Sequence, residues 1–356
     1  MQKEQKENIV PHVGAFAVAV PPYSADQEFA EAFMRKHFSG RLSNRSQGLL
    51  RAIFSHPSIR KRHFAFDDPR EIVDEGPDRR VARFTERSIG LAAQAITQAI
   101  DRAGISAGEI DGIVVNTCTG YICPGISTYL IERLGLSRSI RAYDLVGSGC
   151  GGAIPNLQLA ETLVRSGSGA VLSVSVEICS TTFQMDNDLS LILSNALFGD
   201  GASAAVVWGR REGWELSASA AHYAPEHRET IRYVHKNGQL FNRLSLRLPD
   251  LVSGAASAVV SNVLAQRALG TGDIRHWALH TGGEKIINAV RDGIGIPEAS
   301  LGPTRRVLRE YGNMSSPTVW FVLDEIEKNP VAQGDWAVMV AYGAGLSGHA
   351  YLLRRA

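Results

Sequence analysis

Apolar positions recur along this chain with two periods. Over residues 85–103, Ile89, Ala92, Ala93, Ile96, Ala99, Ile100 and Ala103 repeat at three- and four-residue spacing. That spacing predicts an amphipathic helix, which Gly104 closes in a left-handed turn. Short apolar runs at 112–115, 142–146, 170–176 and 202–208 predict buried strands. Between the second and third of these, a helix opens at Cys150 and ends at Gly167. Residues 1 to about 80 are mixed in charge and read as irregular, with a basic knot at Arg60-Lys61-Arg62. A polar stretch from about Gly209 to Asn242 divides the pattern in two.

The second part repeats the plan of the first. A helix is predicted over 251–269, a strand ending at His280, and a short helix over 284–291. A further helix starts near Ser316-Pro317, with the serine as cap and the proline at the first helical position. A last strand over 336–342 runs into Gly343-Ala-Gly345. Strands alternating with helices predict an α/β protein whose sheets are covered on both faces. The duplication is one of pattern, without literal sequence repetition, and it divides the chain into residues 1–209 and 210–356.

Length agrees with two lobes, because 356 residues exceed what one growing core accommodates. A net charge of +1 argues against a general nucleic-acid binder, which needs a basic face. No apolar run approaches the roughly 20 residues of a membrane span. The charged start, Met-Gln-Lys-Glu-Gln-Lys-Glu-Asn, lacks the apolar core of a secretory leader. Four cysteines in a chain of this length form no disulfide framework, and no Cys-x-x-Cys pair points to zinc. Histidines such as His276 and His349 show no metal-ligand spacing. A reducing cytoplasm is the expected compartment, with Cys150 a free thiol.

Candidate chemistry centres on Cys150, in Asp144-Leu-Val-Gly-Ser-Gly-Cys-Gly-Gly-Ala. Small residues flank it, and a helix begins just beyond it. The unpaired N–H groups and positive dipole end of a helix mouth favour a thiolate. Downstream, His280 lies in Trp277-Ala-Leu-His-Thr-Gly-Gly and Asn313 in Tyr311-Gly-Asn-Met-Ser-Ser-Pro. A nucleophile with two N–H donors is the equipment for acyl transfer through sulfur. For each residue a plainer reading stands alongside: a packed cysteine, a satisfied core histidine, an asparagine that turns the chain. Gly199-Asp-Gly201 reads as a tight turn rather than a phosphate loop.

These residues resemble the type III polyketide synthases, the chalcone-synthase-like branch of the thiolase-fold condensing enzymes. The glycine-flanked Cys150, Leu197-Phe-Gly-Asp-Gly-Ala, His280 before Gly282-Gly283, and Tyr311-Gly-Asn-Met-Ser-Ser carry the resemblance, which runs from about residue 12 to the end. It implies a thiolase-like fold of two pseudo-duplicated halves in an αβαβα layering, and a homodimer. The implied substrates are acyl-CoA and malonyl-CoA, with no further cofactor and no metal. Cys150 would carry the acyl group, His280 would form a thiolate–imidazolium pair with it, and His280 and Asn313 would stabilise the enolate left by decarboxylation. Backbone N–H groups near Cys150 and Gly345 would hold the second oxyanion.

The same resemblance implies pocket roles. Phe198 matches an aromatic gate, Cys118 and Cys179 fall where plant enzymes carry threonine, and Thr182 falls at another pocket threonine. Cysteines at two such positions resemble bacterial members. Cys123 matches a residue that reaches into the partner's cavity, and the Cys123–Pro124 bond is a place for a cis peptide. The family's Gly-Phe-Gly-Pro-Gly turn here reads Ala341-Tyr-Gly-Ala-Gly, and no second aromatic gate can be assigned. Arg60-Lys61-Arg62 is either a solvated face or part of a coenzyme A phosphate clamp.

Four functions compete at this stage. The first is decarboxylative condensation giving a pyrone or resorcinol-type product. The second is a single condensation with acyl carrier protein, as in ketoacyl synthase III. A papain-like protease uses the same three residue types, but its local cysteine signature is missing. A catalytically idle acyl-binding subunit is the fourth.

Overall fold

Residues 9–356 are described by a computed structural model. The charged start lies outside the described residues. The first third of the chain folds into β1 (His12–Ala19), β2 (Tyr23–Asp26), α1 (Gln27–Phe38), α2 (Asn44–Phe54), β3 (Lys61–Phe64) and α3 (Pro77–Ala103). The irregular region expected before residue 80 is therefore structured. Its two helices are short, and their buried faces include the polar Gln27 and Ser46, which hides their period. Asp26 and Ser43 cap them by accepting the N–H groups of Phe29 and Ser46. Likewise α3 begins eight residues before its apolar period, at Gly76-Pro77. The buried face of its first turns is made of Arg80 and Arg83, both against Glu75.

Next come β4 (Ile110–Asn116), α4 (Ile126–Leu134), β5 (Arg141–Leu145), α5 (Ala153–Arg165), β6 (Ala170–Glu177), α6 (Leu189–Leu197) and β7 (Gly201–Trp208). All four strands expected here are present. After them lie β8 (Trp214–Tyr223), β9 (Ile231–Lys236), β10 (Gln239–Leu244), α7 (Leu248–Ala265), β11 (Ile274–Leu279), α8 (Glu284–Ile294), α9 (Gly302–Tyr311), α10 (Thr318–Glu327), β12 (Trp336–Gly343) and β13 (Ser347–Arg355). The polar separator thus contains a core strand, β8, and an exposed hairpin, β9–β10. Trp336–Gly343 is not the last strand either, since β13 follows the glycine turn. Ser316 does not cap α10; its hydroxyl is committed elsewhere.

One continuous sheet orders the strands β11-β12-β13-β8-β1-β7-β6-β4-β5. Read outward from its centre, β1-β7-β6-β4 and β8-β13-β12-β11 have the same order. Both pair antiparallel, antiparallel, then parallel. The two units join through only two residue pairs, His12↔Glu215 and Val13↔Trp214. Three apolar clusters define the layers. α3 and α4 cover the outer face of the first unit, α7 and α8 that of the second, and α5 with α10 fills the space between. This is the αβαβα arrangement, and it places α5 and α10 side by side in the middle. A fourth cluster seats α1 and α2 against α6. Helix α7 is apolar enough by composition to cross a membrane, at mean hydropathy 1.3 over 18 residues. Val252, Ala256, Val259, Val260 and Val263 instead pack it onto the sheet as an outer-layer helix.

Candidate active site

Cys150 sits in a single tight turn, Gly149–Gly151, that feeds directly into α5. The turn is crowded from behind by the end of β12. A Cβ on Gly343 would stand 2.1 Å from the Ser148 carbonyl oxygen and 2.6 Å from the Gly151 nitrogen. Gly149 adopts φ +55°, where a side chain is strained. Glycine at these positions lets two backbones touch, and that contact sets the sulfur's depth. Ala in place of the family's proline in the Gly343-Ala-Gly345 turn is braced by Ser347, which donates to the Ala344 carbonyl at 3.0 Å.

His280 is the first residue beyond β11, and its N–H extends the ladder to the Val340 carbonyl at 2.9 Å. Tyr342 donates to the His280 carbonyl at 2.7 Å and sets its ring edge-on to the imidazole, with centroids 5.1 Å apart. The imidazole Nδ1 is buried and meets no hydrogen-bond partner. Asn313 arrives from the other side, before α10. Its N–H bonds the Leu197 carbonyl at 3.0 Å, and its carbonyl accepts the Gly199 N–H at 2.9 Å. A main-chain bridge therefore ties Asn313 to Phe198. The Asn313 side-chain oxygen accepts the Ser315 N–H at 2.7 Å, which leaves the amide N–H groups for the sulfur.

Ser315 donates its hydroxyl to the Cys150 sulfur at 3.3 Å. The same oxygen lies 3.3 Å from the Cys118 sulfur. A serine has one proton to give, so Cys118 donates to Ser315 and Ser315 to Cys150. Behind them lies Glu177, fully buried at the end of β6. One of its oxygens accepts Thr117 Oγ1, the Cys118 and Thr119 N–H groups and Thr119 Oγ1; the other accepts Ser316 Oγ at 2.6 Å. Asn116 donates to Ser316 in turn, at 2.8 Å.

Burial dominates the site's electrostatics. It pushes the Cys150 thiol up to about 12, against hydrogen bonds from Ser315, Cys150's own N–H and Asn313; the Glu177 charge adds to the rise. Burial alone pulls His280 down to about 3. Both groups therefore rest neutral, whereas the helix mouth alone suggested a thiolate. Desolvation of a fully enclosed sulfur outweighs the dipole of one helix.

The remaining expected pocket residues divide between two spaces. Cys118 and Gly345 line a cleft of about 650 Å³ with Thr119, Thr181, Tyr233 and Leu240. Cys179, Thr182 and Phe198 line a separate, narrower apolar space beneath α1. Thr182 Oγ1 lies 3.5 Å from the Tyr233 hydroxyl, across the wall between the two. Cys123 is exposed, ahead of a cis bond to Pro124, and lines neither space. Two members of the basic knot are already engaged. Arg60 pairs with Glu310, and Arg62 is buried under Phe198.

Sequence reasoning missed three residues. Ser315 was read only as part of a motif, Glu177 lay just beyond an expected strand over 170–176, and Tyr233 fell in a separator. Tyr233 lines the cleft together with Phe84 and Tyr121. Among the described residues, no three histidine, cysteine or carboxylate side chains gather as a metal site requires.

Comparisons with known proteins agree with this architecture. Residues 16–228 match the model for "FAE1/Type III polyketide synthase-like protein", and residues 215–356 that for "Chalcone and stilbene synthases, C-terminal domain". The 1,3,6,8-tetrahydroxynaphthalene synthase of Streptomyces peucetius subsp. caesius is 30% identical over 86% of this chain and 84% of its own. Bisdemethoxycurcumin synthase of Oryza sativa subsp. japonica is 30% identical over 99% and 94%. The crystal structure of PKS-I from the brown alga Ectocarpus siliculosus superposes with a TM-score of 0.90 at 26% identity, covering 99% of this chain and all of that one. These matches favour no reading as a ketoacyl synthase III, a protease or an idle subunit. With its three reactive residue types at the ends of matching elements in a duplicated αβαβα fold, the chain belongs to the chalcone-synthase-like type III polyketide synthases.

Proposed function

We propose that the protein condenses malonyl-CoA onto an acyl-CoA starter held as a thioester on Cys150. The convergence of Ser315 and Asn313 on the Cys150 sulfur is the observation that carries this reading. His280, neutral at rest, takes the thiol proton as the sulfur attacks the starter thioester. It returns that proton to the departing coenzyme A sulfur. The ring N–H of neutral His280 and the Asn313 amide then donate to the thioester oxygen of malonyl-CoA. The carboxylate leaves as CO2, and the electron pair passes into an enolate held by those donors. The enolate carbon attacks the acyl carbonyl on Cys150, and the sulfur leaves. Cyclisation of the extended chain gives a pyrone or resorcinol-type product.

An aliphatic starter of medium or long chain is proposed, since the space at Cys179, Thr182 and Phe198 is lined mostly by apolar side chains. A homodimer is the proposed assembly. The edge strand β5 is largely exposed, and exposed Tyr121, Tyr143 and Val146 surround the loop of Cys123. That loop is free to reach a second copy. The chain is proposed to work in the cytoplasm, whose reducing poise keeps the nucleophile a thiol. Residues 1–209 and 210–356 are proposed as the two halves.

Incubation with an acyl-CoA series and malonyl-CoA, followed by CO2 capture and mass analysis, tests the reading. It predicts CO2, free coenzyme A and chain-length-dependent products, all lost in Cys150→Ala. Absence of CO2 across the series refutes it. Widening Cys118 or Cys179 to a larger apolar residue shifts the product chain length if both line the working cavity.

A further inference from the structure

The least expected side chain near the site is Arg62, in β3, which is 1% exposed and has no carboxylate among its hydrogen-bond partners. Its Nε and Nη2 donate to Gln27 Oε1 at 3.0 and 2.8 Å. Its Nη1 donates to the carbonyls of Asn195 and Phe198, both at 2.7 Å. Gln27 turns its own amide onto the Ala196 carbonyl at 2.9 Å. Three carbonyls left open at the C-terminal end of α6 are thus taken by one buried pair. A cation there also faces the negative end of the helix dipole. Phe54 and Phe64 lie over the guanidinium, at 5.7 and 5.0 Å.

The stem of Arg62 is placed as closely as its head. A Cβ on Gly312 would meet Arg62 Cγ and Cδ at 2.9 Å, and one on Gly199 would meet Arg62 Cβ at 3.4 Å. Gly199 follows Phe198, and Gly312 precedes Asn313. The two segments are bonded to each other through the Phe198–Asn313 bridge. The next residues of β3 complete the frame. The His63 carbonyl accepts the Asp200 N–H at 2.9 Å, and the Ala65 N–H donates to Asp200 at 2.7 Å.

We infer that Arg62 is a positioning residue for extension, holding the Phe198 turn and, through it, the Asn313 amide at the depth the enolate requires. A charge enclosed this fully is tolerated only while its donors are satisfied, so the carbonyls it holds cannot drift. Lysine cannot replace it. An ammonium is a point donor and cannot serve the Gln27 oxygen and two carbonyls in one plane. Acylation of Cys150 is driven by the sulfur and His280, which Arg62 does not touch, whereas decarboxylation needs the Asn313 amide, beside His280, as a direct donor to the enolate oxygen. This inference rests on the condensing function proposed above.

The test compares full-length wild type with Arg62→Lys and Gln27→Ala. Three quantities are read: the burst of free coenzyme A on mixing with acyl-CoA, steady-state CO2 release from malonyl-CoA, and the melting temperature. Arg62→Lys is expected to keep the burst while kcat for CO2 release falls by about tenfold or more. Gln27→Ala should show the same split to a smaller degree, and it serves should Arg62→Lys fail to fold. Extension at the wild-type rate in folded Arg62→Lys overturns the inference. So does a parallel loss of burst and extension in both variants, which would make Arg62 a residue of general stability. Wild-type protein that releases no CO2 sinks the condensing function and this inference with it; normal extension in the variant sinks this inference alone.

Discussion

The hydroxyl of Ser315 is donated to the sulfur of Cys150 across 3.3 Å, in a backbone conformation, φ +60°, that serine seldom adopts. Strain of this kind persists where surrounding structure imposes it. Here the Asn313 side chain accepts the Ser315 N–H, and the neighbouring Ser316 is held by Glu177. Ser315→Ala removes the one hydroxyl that opposes the sulfur's desolvation. A hydrogen bond to a charged group contributes about 1.5–3 kcal/mol, so the thiol's titration should rise by about one unit or more. Iodoacetamide labelling of Cys150 at fixed alkaline pH should slow several-fold; unchanged labelling would remove Ser315 from the account.

Glu177 acts on the same sulfur in the opposite sense. Its charge disfavours the thiolate, while four of its accepted hydrogen bonds hold the 117–119 loop and a fifth holds Ser316. Glu177→Gln should therefore move Cys150 labelling to lower pH while lowering the melting temperature. An amide offers one acceptor oxygen where the loop and Ser316 each occupy one. Labelling that shifts to higher pH would contradict the assignment.

Stability should fall on both sides of neutrality, for reasons that can be separated. His280 and His349 are held neutral by burial, down to about 3 and about 4 against an ordinary 6.5. As pH drops below 6.5 the unfolded chain takes up protons that the folded one refuses, so stability declines through that window. In the alkaline direction, the folded chain keeps the Cys150 proton above its ordinary 9.0, and stability declines from there upward. Melting temperatures from pH 4 to 10 should trace this dome. Neither ring nitrogen of His349 meets a hydrogen-bond partner, so His349→Phe should flatten the acid side and raise stability at pH 5. A profile equally steep in the variant would count against it.

Two glycines should respond in opposite directions to alanine. Gly343→Ala drives a methyl into the Ser148 carbonyl and the nucleophile turn, and should abolish activity or soluble expression. Gly254 lies within α7 with nothing within 4 Å of its would-be Cβ. There alanine should add about 0.5–1 kcal/mol of stability at wild-type turnover. Calorimetry of the two purified variants decides both.

Cys150 and His280 were legible because each ends an apolar run beside small residues, and Asn313 because it stands in the motif Tyr311-Gly-Asn-Met-Ser-Ser. The long helix α3 was legible from its period, but only where its buried face is apolar; arginines paired with Glu75 concealed its first two turns. Glu177 could not be read in this way. Its importance comes from the parallel pairing of β4 with β6, which brings Asn116 opposite Ser175 and so sets the 117–119 loop beside its carboxylate. Tyr233 was hidden for a similar reason, since β9 and β10 pair only with each other and lie outside the large sheet. The strand β8 has polar neighbours in sequence but is flanked by β1 and β13, and only those partners bury it.

The duplicated sheet carries an electrical consequence. Because α5 and α10 hold equivalent places in the two units, α5 begins three residues after Cys150 and α10 three residues after Ser315, whose hydroxyl reaches that sulfur, so the positive ends of both helices lie near it. Once the proton has left, every anion formed there, thiolate first and enolate after it, sits between two attracting ends. The field that greets the reaction's negative charge is thus built from main chain in both lobes, and no single side-chain replacement can switch it off.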